Sequence, residues 1–396
     1  MKHASILSIL AFAGYTSALQ AQSPATPGPP VEIGLGVDTA TAPIPALLGL
    51  WRRYLQSGPF DSHATPLWSA AEQRRWPDAV DLTVPWCYGG RADYANSQAV
   101  VLDIAPAKWG DTASYAIRTL FLYRDSTMAK TLPYALCRVY ATRERGRWVL
   151  ANSLGQLTKE WRHTRYPPIT FVYPATHRFD ADRARHSVRF IDSVATAFSV
   201  HPPGNIELYI ADSQEDMFRL LGVDLIPNHT PGLAYTAHGL LFSGSPLYGE
   251  WYPHELAHMV LDSLTKAWRT PFALDEGLAM WLGGSRGRDF PTLMRSLAAA
   301  LKARPALTLD TLLGSPSPAD TLAYPAAAAL LQLAYERGKM HQVKAFLSGR
   351  RPGQTTDTVL DIAERTFAES RERLAAAWRS RILHYVPAQS HPAKRG

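Results

Sequence analysis

The feature that most constrains this chain is the pattern His-Glu-Leu-Ala-His within residues 251–260. The apolar residues around it indicate a helix, and in a helix residues four apart lie one above the other. His254 and His258 therefore direct their imidazole rings at one point, and a pair of neutral imidazoles suits Zn²⁺. Glu255 lies beside them, where its carboxylate can act as a general base without binding the metal. A surface helix with two histidines is the alternative, but the apolar residues after the pattern argue against a solvated face.

A second segment supplies a third candidate ligand. Residues 272–281 read Phe-Ala-Leu-Asp-Glu-Gly-Leu-Ala-Met-Trp, which predicts another helix with acidic residues near its start. Glu276 on this helix can reach the two histidines if the helices run antiparallel. Two histidines, one glutamate and an open fourth position are typical of a hydrolytic zinc site. The sequence therefore predicts one zinc ion per chain, held by His254, His258 and Glu276.

These two motifs, His-Glu-Leu-Ala-His and Asp-Glu-Gly-Leu-Ala, resemble those of the gluzincin zinc metallopeptidases, most closely the peptidase-MA-like group. The resemblance extends over residues 169–385. It implies a zincin-type domain with a small sheet and a helical C-terminal half. It also implies the same roles for the residues named above, with three zinc ligands and Glu255 as the base.

The resemblance implies an oxyanion donor as well, a tyrosine one helix beyond the third ligand. Tyr324 opens a predicted helix in the matching place, and a packing tyrosine at a helix start is the alternative reading. Exopeptidases of this clan carry a glutamate in a Gly-x-Met-Glu-Asn-type motif on the strand before the zinc helix. Residues 232–236 lack that glutamate, so endopeptidase action is expected. His238, in the same predicted strand over 232–242, is interpreted as an ordinary strand histidine.

Three functions remain open on the sequence. The first is a zinc-dependent endopeptidase acting on a peptide or protein substrate. The second is a catalytically silent, peptidase-like binding protein, which should have lost a ligand or the base, whereas this chain keeps all four residues. The third is a hydrolase of a non-peptide amide or an epoxide that uses the same zinc site. The oligomeric state is left open.

The N-terminus has the pattern of an export signal. Lys2 precedes an apolar run over 4–18, and Ala21 is a plausible cleavage point, so residues 1–21 are predicted to be a signal peptide. A secreted or periplasmic location follows. Residues 22–41 are rich in proline and are predicted to be a disordered linker. Residues 389–396 form a polar tail.

Composition excludes some partners. The formal charge is +7, but no basic run is interleaved with aromatic residues as a nucleic-acid groove requires. No segment after the signal is long and apolar enough to predict stable membrane insertion. With 46% hydrophobic and 19% charged residues, the remainder has the composition of a globular protein.

The predicted fold class is α+β, in two domains. Residues 42–165 contain two helical segments and then long strands, which predicts a curved antiparallel sheet. This unit resembles the nuclear-transport-factor-like (SnoaL-like) cone fold, and a binding or spacer role is expected. Consecutive prolines after Tyr166 mark the start of the second domain, 166–388. Strands are predicted at 99–104, 115–123, 134–141, 147–154, 169–173 and 206–210, and helices at 45–55, 67–76, 181–198, 213–221, 290–303, 325–337, 340–348, 356–367 and 370–385.

Cys87 and Cys137 are the only cysteines. A disulfide bond between them is chemically permitted after export, because exported proteins meet an oxidising environment. Two buried thiols are the alternative, and the sequence does not decide between them.

Overall fold

The computed structural model describes residues 28–60, 66–77, 80–88, 91–125, 130–225, 230–245, 247–315, 322–351 and 357–385. The predicted signal peptide with its cleavage point, the first residues of the predicted linker and the polar tail lie outside this part of the chain. The strands are Val31–Ile33 (β1), Ser97–Pro106 (β2), Ser114–Asp125 (β3), Lys130–Glu144 (β4), Arg147–Ala151 (β5), Arg162–Tyr166 (β6), Ile169–Tyr173 (β7), Ile206–Ile210 (β8), Val223–Leu225 (β9), Gly232–Tyr235 (β10) and Leu240–Ser243 (β11).

The helices are concentrated in the second half of the chain. They are Ile44–Ser57 (α1), Ala70–Arg75 (α2), Val84–Cys87 (α3), Arg91–Ala95 (α4), Ser153–Leu157 (α5), Ala181–Phe198 (α6), Gln214–Leu220 (α7), Pro253–Trp268 (α8), Phe272–Gly283 (α9), Phe290–Ala303 (α10), Leu309–Leu313 (α11), Ala323–Leu347 (α12), Val359–Phe367 (α13) and Arg371–Leu383 (α14). The predicted α+β class, with a sheet-rich N-terminal half and a helical C-terminal half, is confirmed.

The first sheet has the order β1-β2-β3-β4-β5, and β9 also pairs with β4. It is antiparallel except for the parallel pair β1–β2. The amphipathic helix α1 packs on it, and the Trp51 indole donates a hydrogen bond to Thr119 on β3 at 2.9 Å. Cys87 and Cys137 form a disulfide bond between α3 and β4, with Cα atoms 6.1 Å apart. The bridge settles the choice that the sequence left open.

The prediction of a disordered linker over 22–41 is wrong for its C-terminal part. Residues 31–33 form β1, and the Gly34 amide donates to the Val101 carbonyl at 2.8 Å. The apolar residues of this segment and its proline-favoured extended backbone suit an edge strand, which tolerates neighbouring prolines.

The second sheet has the order β10-β11-β8-β7-β6, with parallel pairs in the middle and antiparallel strands at both ends. The single strand predicted over 232–242 is wrong, because it is a hairpin. A 3-10 turn, Thr236–His238, separates β10 from β11, and Gly239 takes the left-handed conformation at φ 67° that glycine favours. β10 is therefore an edge strand of this sheet.

Both faces of the second sheet are buried. Phe171, Leu208 and Leu241 lie in register on one face and pack into the core formed with the C-terminal helices. Their neighbours on the other face share a core with the N-terminal half of the chain, namely Val172, Tyr209 and Phe242. Since side chains alternate along a strand, each strand contributes to two cores.

Close helix packing characterises the C-terminal half. A Cβ at Gly277 on α9 would lie 2.7 Å from the Ala327 Cβ on α12, so glycine permits the helices to approach closely. The Trp281 indole donates to the Gln332 side chain at 2.8 Å between the same helices. The α12 backbone is non-helical at Gly338 and Lys339, which corresponds to the gap between the two helices predicted there. None of the helices described is long and apolar enough to cross a membrane.

Candidate active site

The two histidines lie on α8. Pro253 occupies the first turn of this helix, where a backbone donor is not needed. His254 and His258 follow one turn apart, and their ring centroids are 5.1 Å from each other. The helix ends at Arg269, whose backbone is left-handed.

The third candidate ligand lies on α9, which runs back along α8. His258 is near the start of α9, whereas the backbone of Pro253 and His254 contacts its end at Gly283. A Cβ at Gly283 would lie 2.5 Å from the backbone nitrogen of His254, so a larger residue would push the two helices apart. The close approach brings Glu276 opposite both histidines.

Three side chains form a cluster with the spacing of a metal site. The Glu276 carboxylate lies 3.5 Å from His254 Nε2 through Oε2 and 3.5 Å from His258 Nε2 through Oε1. All three ligand atoms lie within 4.8 Å of one another. Ligands about 2.0–2.2 Å from a tetrahedral zinc ion are roughly 3.3–3.6 Å apart, so these residues fit zinc. Among the residues that the structure describes, no other group of three or more histidine, cysteine or acidic side chains has this spacing.

The far nitrogen of each histidine has an oxygen partner. His254 Nδ1 lies 2.8 Å from the Gly284 carbonyl, and His258 Nδ1 lies 3.5 Å from Asp275 Oδ2. Such partners hold the proton on Nδ1 and direct Nε2 toward the metal. Sequence reasoning missed both residues. Asp275 precedes the ligand in Asp-Glu-Gly and could have been noticed there, whereas Gly284 acts through its backbone and leaves no signal.

The electrostatics of the cluster favour a cation. Burial alone would lower the pKa of both histidines, but the neighbouring carboxylates outweigh burial and raise it. The main carboxylate is Glu276 for His254 and Asp275 for His258. Burial opposes ionisation of Glu276, yet the two imidazoles hold its pKa below the usual range. A positive charge among these side chains is therefore stabilised.

Glu255 lies beside the cluster without joining it. Its side chain is buried, with 8% of the residue exposed. Burial raises the pKa of this carboxyl group, while the neighbouring histidines oppose the rise. A carboxylate with a raised pKa is a stronger base than an exposed one.

Tyr324 lies in the first turn of α12, half-buried, with its ring 5.9 Å from that of Phe272 at the start of α9. Burial, and to a smaller extent the Glu276 carboxylate, raise the pKa of its hydroxyl. His238 lies in the 3-10 turn after β10. The centroid of its ring is 6.1 Å from that of Trp76 and 5.9 Å from that of Tyr235. Within the described ranges it belongs to no group of side chains spaced for a metal ion.

Comparisons with known proteins find only distant likeness. No model of a protein family matches the chain, and no curated protein does. Among solved structures, an M1 zinc metallopeptidase from Deinococcus radiodurans is 15% identical with a TM-score of 0.34, over 75% of this chain and 66% of that one. A mutant M1 zinc metallopeptidase from that organism, bound to a Tyr-Ser-Ala substrate, is 16% identical with a TM-score of 0.34 and the same coverage.

Native yeast LTA4 hydrolase is 13% identical with a TM-score of 0.31, over 74% of this chain and 47% of its own length. This chain thus spans less than two thirds of the length of these proteins. Likeness at these scores assigns this chain to no family.

Proposed function

We propose that the protein is an exported, zinc-dependent metallopeptidase of the gluzincin type that cleaves internal peptide bonds. The observation that carries the proposal is the cluster of His254, His258 and Glu276, with ligand atoms within 4.8 Å of one another and Glu255 beside it. Asp275 and Gly284 support it, because they direct the histidines as metal ligands require.

The residues of the chain then have distinct tasks. His254, His258 and Glu276 would hold the zinc ion. A zinc ion bound there would polarise a carbonyl group and would lower the pKa of water to about 7. Glu255 takes the proton of the attacking water and passes it to the leaving amine. Tyr324 donates a hydrogen bond to the negative charge that develops on the carbonyl oxygen.

The edge strand β10 provides a place for the substrate. An extended peptide can add to the free edge of a sheet by backbone pairing. Residues 232–236, which form β10 and enter the following turn, have no glutamate to bind a free amino terminus. We therefore assign endopeptidase rather than aminopeptidase activity.

Export is supported by two features. The first 21 residues have the pattern of a signal peptide, and Cys87 and Cys137 are bridged. Disulfide bonds persist in oxidising compartments. Expression of the full chain in a bacterium that exports it, followed by N-terminal sequencing, should give a mature protein that begins at Gln22.

The test of the activity is cleavage of a peptide library by the zinc-loaded protein and by Glu255→Gln. The amide is nearly isosteric with the carboxylate but cannot take the proton, so the variant should keep its zinc and lose several orders of magnitude in turnover. Asp262→Asn is the matched control, because this carboxylate lies on α8 and binds Thr236 and Lys266 instead of the cluster. Undiminished cleavage by Glu255→Gln would contradict the assignment of the base, and no cleavage by the wild type would contradict peptidase function.

A further inference from the structure

The edge strand β10 lies between the two halves of the chain. It pairs with β11 along one edge, and no other strand that the structure describes pairs with its second edge. Side chains alternate along a strand. Leu233 and Tyr235 pack against the core shared with the N-terminal half, whereas Ala234 packs against the core of the C-terminal helices. Both faces of β10 are therefore covered, while its second edge stays open to a peptide.

The Tyr235 hydroxyl joins β10 to the N-terminal half. It accepts a hydrogen bond from the Trp86 indole and donates a longer one to the Leu82 carbonyl at 3.3 Å. Trp86 is 6% exposed and Leu82 is 1% exposed, so little water reaches these groups. Loss of the hydroxyl would leave two polar groups without this partner in a buried place, which makes the contact costly to break.

The segment that holds Tyr235 is itself fixed. The Leu82 amide donates a hydrogen bond to the Asn152 side chain at 3.0 Å. Trp86 lies on the short helix α3, and the next residue, Cys87, is bridged to Cys137 on β4. The two groups that bind the Tyr235 hydroxyl are thus tied to the first sheet and its surroundings. They form a rigid support and not a mobile loop.

Such a support matters for a strand of this kind. β10 has four residues and backbone pairing on one side only, so little else in the sheet holds its backbone. A peptide that adds to the open edge needs this backbone extended and in place. If the strand takes that position for only part of the time, the apparent affinity for the peptide falls by the same fraction.

We propose that Tyr235, Trp86 and the Leu82 carbonyl form an anchor by which the N-terminal half positions the substrate strand β10. The inference rests on the proposed function, in which β10 binds an extended peptide. Tyr235 and Trp86 are positioning residues, because they bind each other in the core between the two halves and not at the open edge. The N-terminal half is then a part of the substrate site, where its sequence predicted a binding or spacer role.

The first test compares Tyr235→Phe with the wild type on two blocked peptides, a hexapeptide that can pair along β10 and a dipeptide too short to do so. The variant should raise KM for the hexapeptide about 3–10-fold, as expected for the loss of one or two hydrogen bonds, with kcat and zinc content unchanged. Cleavage of the dipeptide should not change. An unchanged KM for the hexapeptide, or equal losses on both peptides, would overturn the inference.

Tyr209→Phe is the matched control. Its hydroxyl also binds the N-terminal half, through Arg75 on α2 at 3.2 Å, but Tyr209 lies on β8 in the middle of the sheet. This variant should therefore leave KM for both peptides as in the wild type. A rise in KM for the hexapeptide equal to that of Tyr235→Phe would mean that any bond between the two halves has this effect, and would refute a specific anchor.

Trp86→Phe approaches the same contact from the other side. It removes the donor and keeps an aromatic ring against Phe218, whose centroid lies 5.0 Å from that of Trp86. KM for the hexapeptide should again rise. The double variant with Tyr235→Phe should raise KM by less than the product of the two single effects, because both changes remove one shared bond. Effects that multiply would contradict the anchor.

A further measurement needs no activity. Hydrogen–deuterium exchange of the metal-free protein should be about 3–10-fold faster for the amides of residues 232–235 in Tyr235→Phe, with exchange in α8 unchanged. Tyr209→Phe should match the wild type over residues 232–235. Equal exchange of these amides in Tyr235→Phe and the wild type would overturn the inference whatever the protein hydrolyses.

The two proposals fail differently. If the wild type cleaves peptides and Glu255→Gln does not, but Tyr235→Phe keeps the KM of the wild type, the anchor is refuted and the peptidase function stands. If the wild type cleaves no peptide, the proposed function fails and the role of the anchor in substrate binding falls with it, even where exchange shows that Tyr235 holds β10.

Discussion

Asp275→Ala should weaken zinc binding without removing a ligand. The Asp275 carboxylate lies 3.5 Å from His258 Nδ1, and its side chain is 26% exposed. It is thus one imidazole ring, roughly 6–7 Å, from the metal position, where its attraction to a divalent ion is about 1.3 kcal/mol even in the dielectric of water. Loss of such a partner typically costs about 10–100-fold in metal affinity, or roughly 1.4–2.7 kcal/mol. The two estimates agree.

The effect should stop short of abolishing the site. His254 keeps its partner, because the Gly284 carbonyl is a backbone group that the substitution does not remove. Asp275→Asn should fall between the wild type and Asp275→Ala, since the amide keeps an acceptor oxygen but not the charge.

Competition with a fluorescent zinc chelator at fixed pH measures these affinities. Asp262→Ala is the control, because it removes a carboxylate from the same helix, α8, whose bonds are to Thr236 and Lys266. An affinity of Asp275→Ala equal to that of Asp262→Ala would refute the argument that Asp275 orients His258.

Two further predictions concern Tyr324 as the oxyanion donor and the stability of residues 166–385 without the N-terminal half. Tyr324→Phe should slow peptide hydrolysis about 10²–10³-fold with zinc content unchanged, because it removes an oxyanion donor, and a rate equal to the wild type in the same assay would make Tyr324 a packing residue. Residues 166–385 expressed alone should be insoluble or aggregated by size-exclusion chromatography, because they lose the cover over Val172, Tyr209 and Phe242; a monodisperse fragment would contradict this.

The sequence predicts local elements well where their ends carry strong signals. The helix predicted over 181–198 is found with those bounds, because the Asp180 side chain accepts from the amides of Asp182 and Arg183 and the chain turns left-handed at Ser199. The helix over 290–303 likewise begins after Asp289, which caps it. Such signals lie within a few residues of the element and need no tertiary information.

Long-range pairing is what the sequence does not show. The short strand β9 was missed because it depends on pairing with β4, far away in the chain. The hairpin of β10 and β11 was predicted as one strand, since a left-handed glycine inside an apolar run is easily overlooked. The core shared by the two halves of the chain is unpredictable for the same reason. Apolar residues on both faces of a strand show that both faces are buried, but not which elements cover them.

The site likewise contains residues that local sequence predicts and residues that only tertiary packing brings in. The spacing of His254, Glu255 and His258 follows from helix geometry alone, and the structure brings Glu276 to them. The groups that orient these residues come from outside that pattern. Asp275 and the Gly284 carbonyl reach the histidines only because α9 packs against α8.

The most direct test of the account is anomalous X-ray diffraction at the zinc absorption edge, on crystals of protein purified without chelators. The account predicts one strong peak per chain, about 2.0–2.2 Å from His254 Nε2, His258 Nε2 and a carboxylate oxygen of Glu276. A peak bound by other residues, or no peak after incubation with zinc, would contradict it.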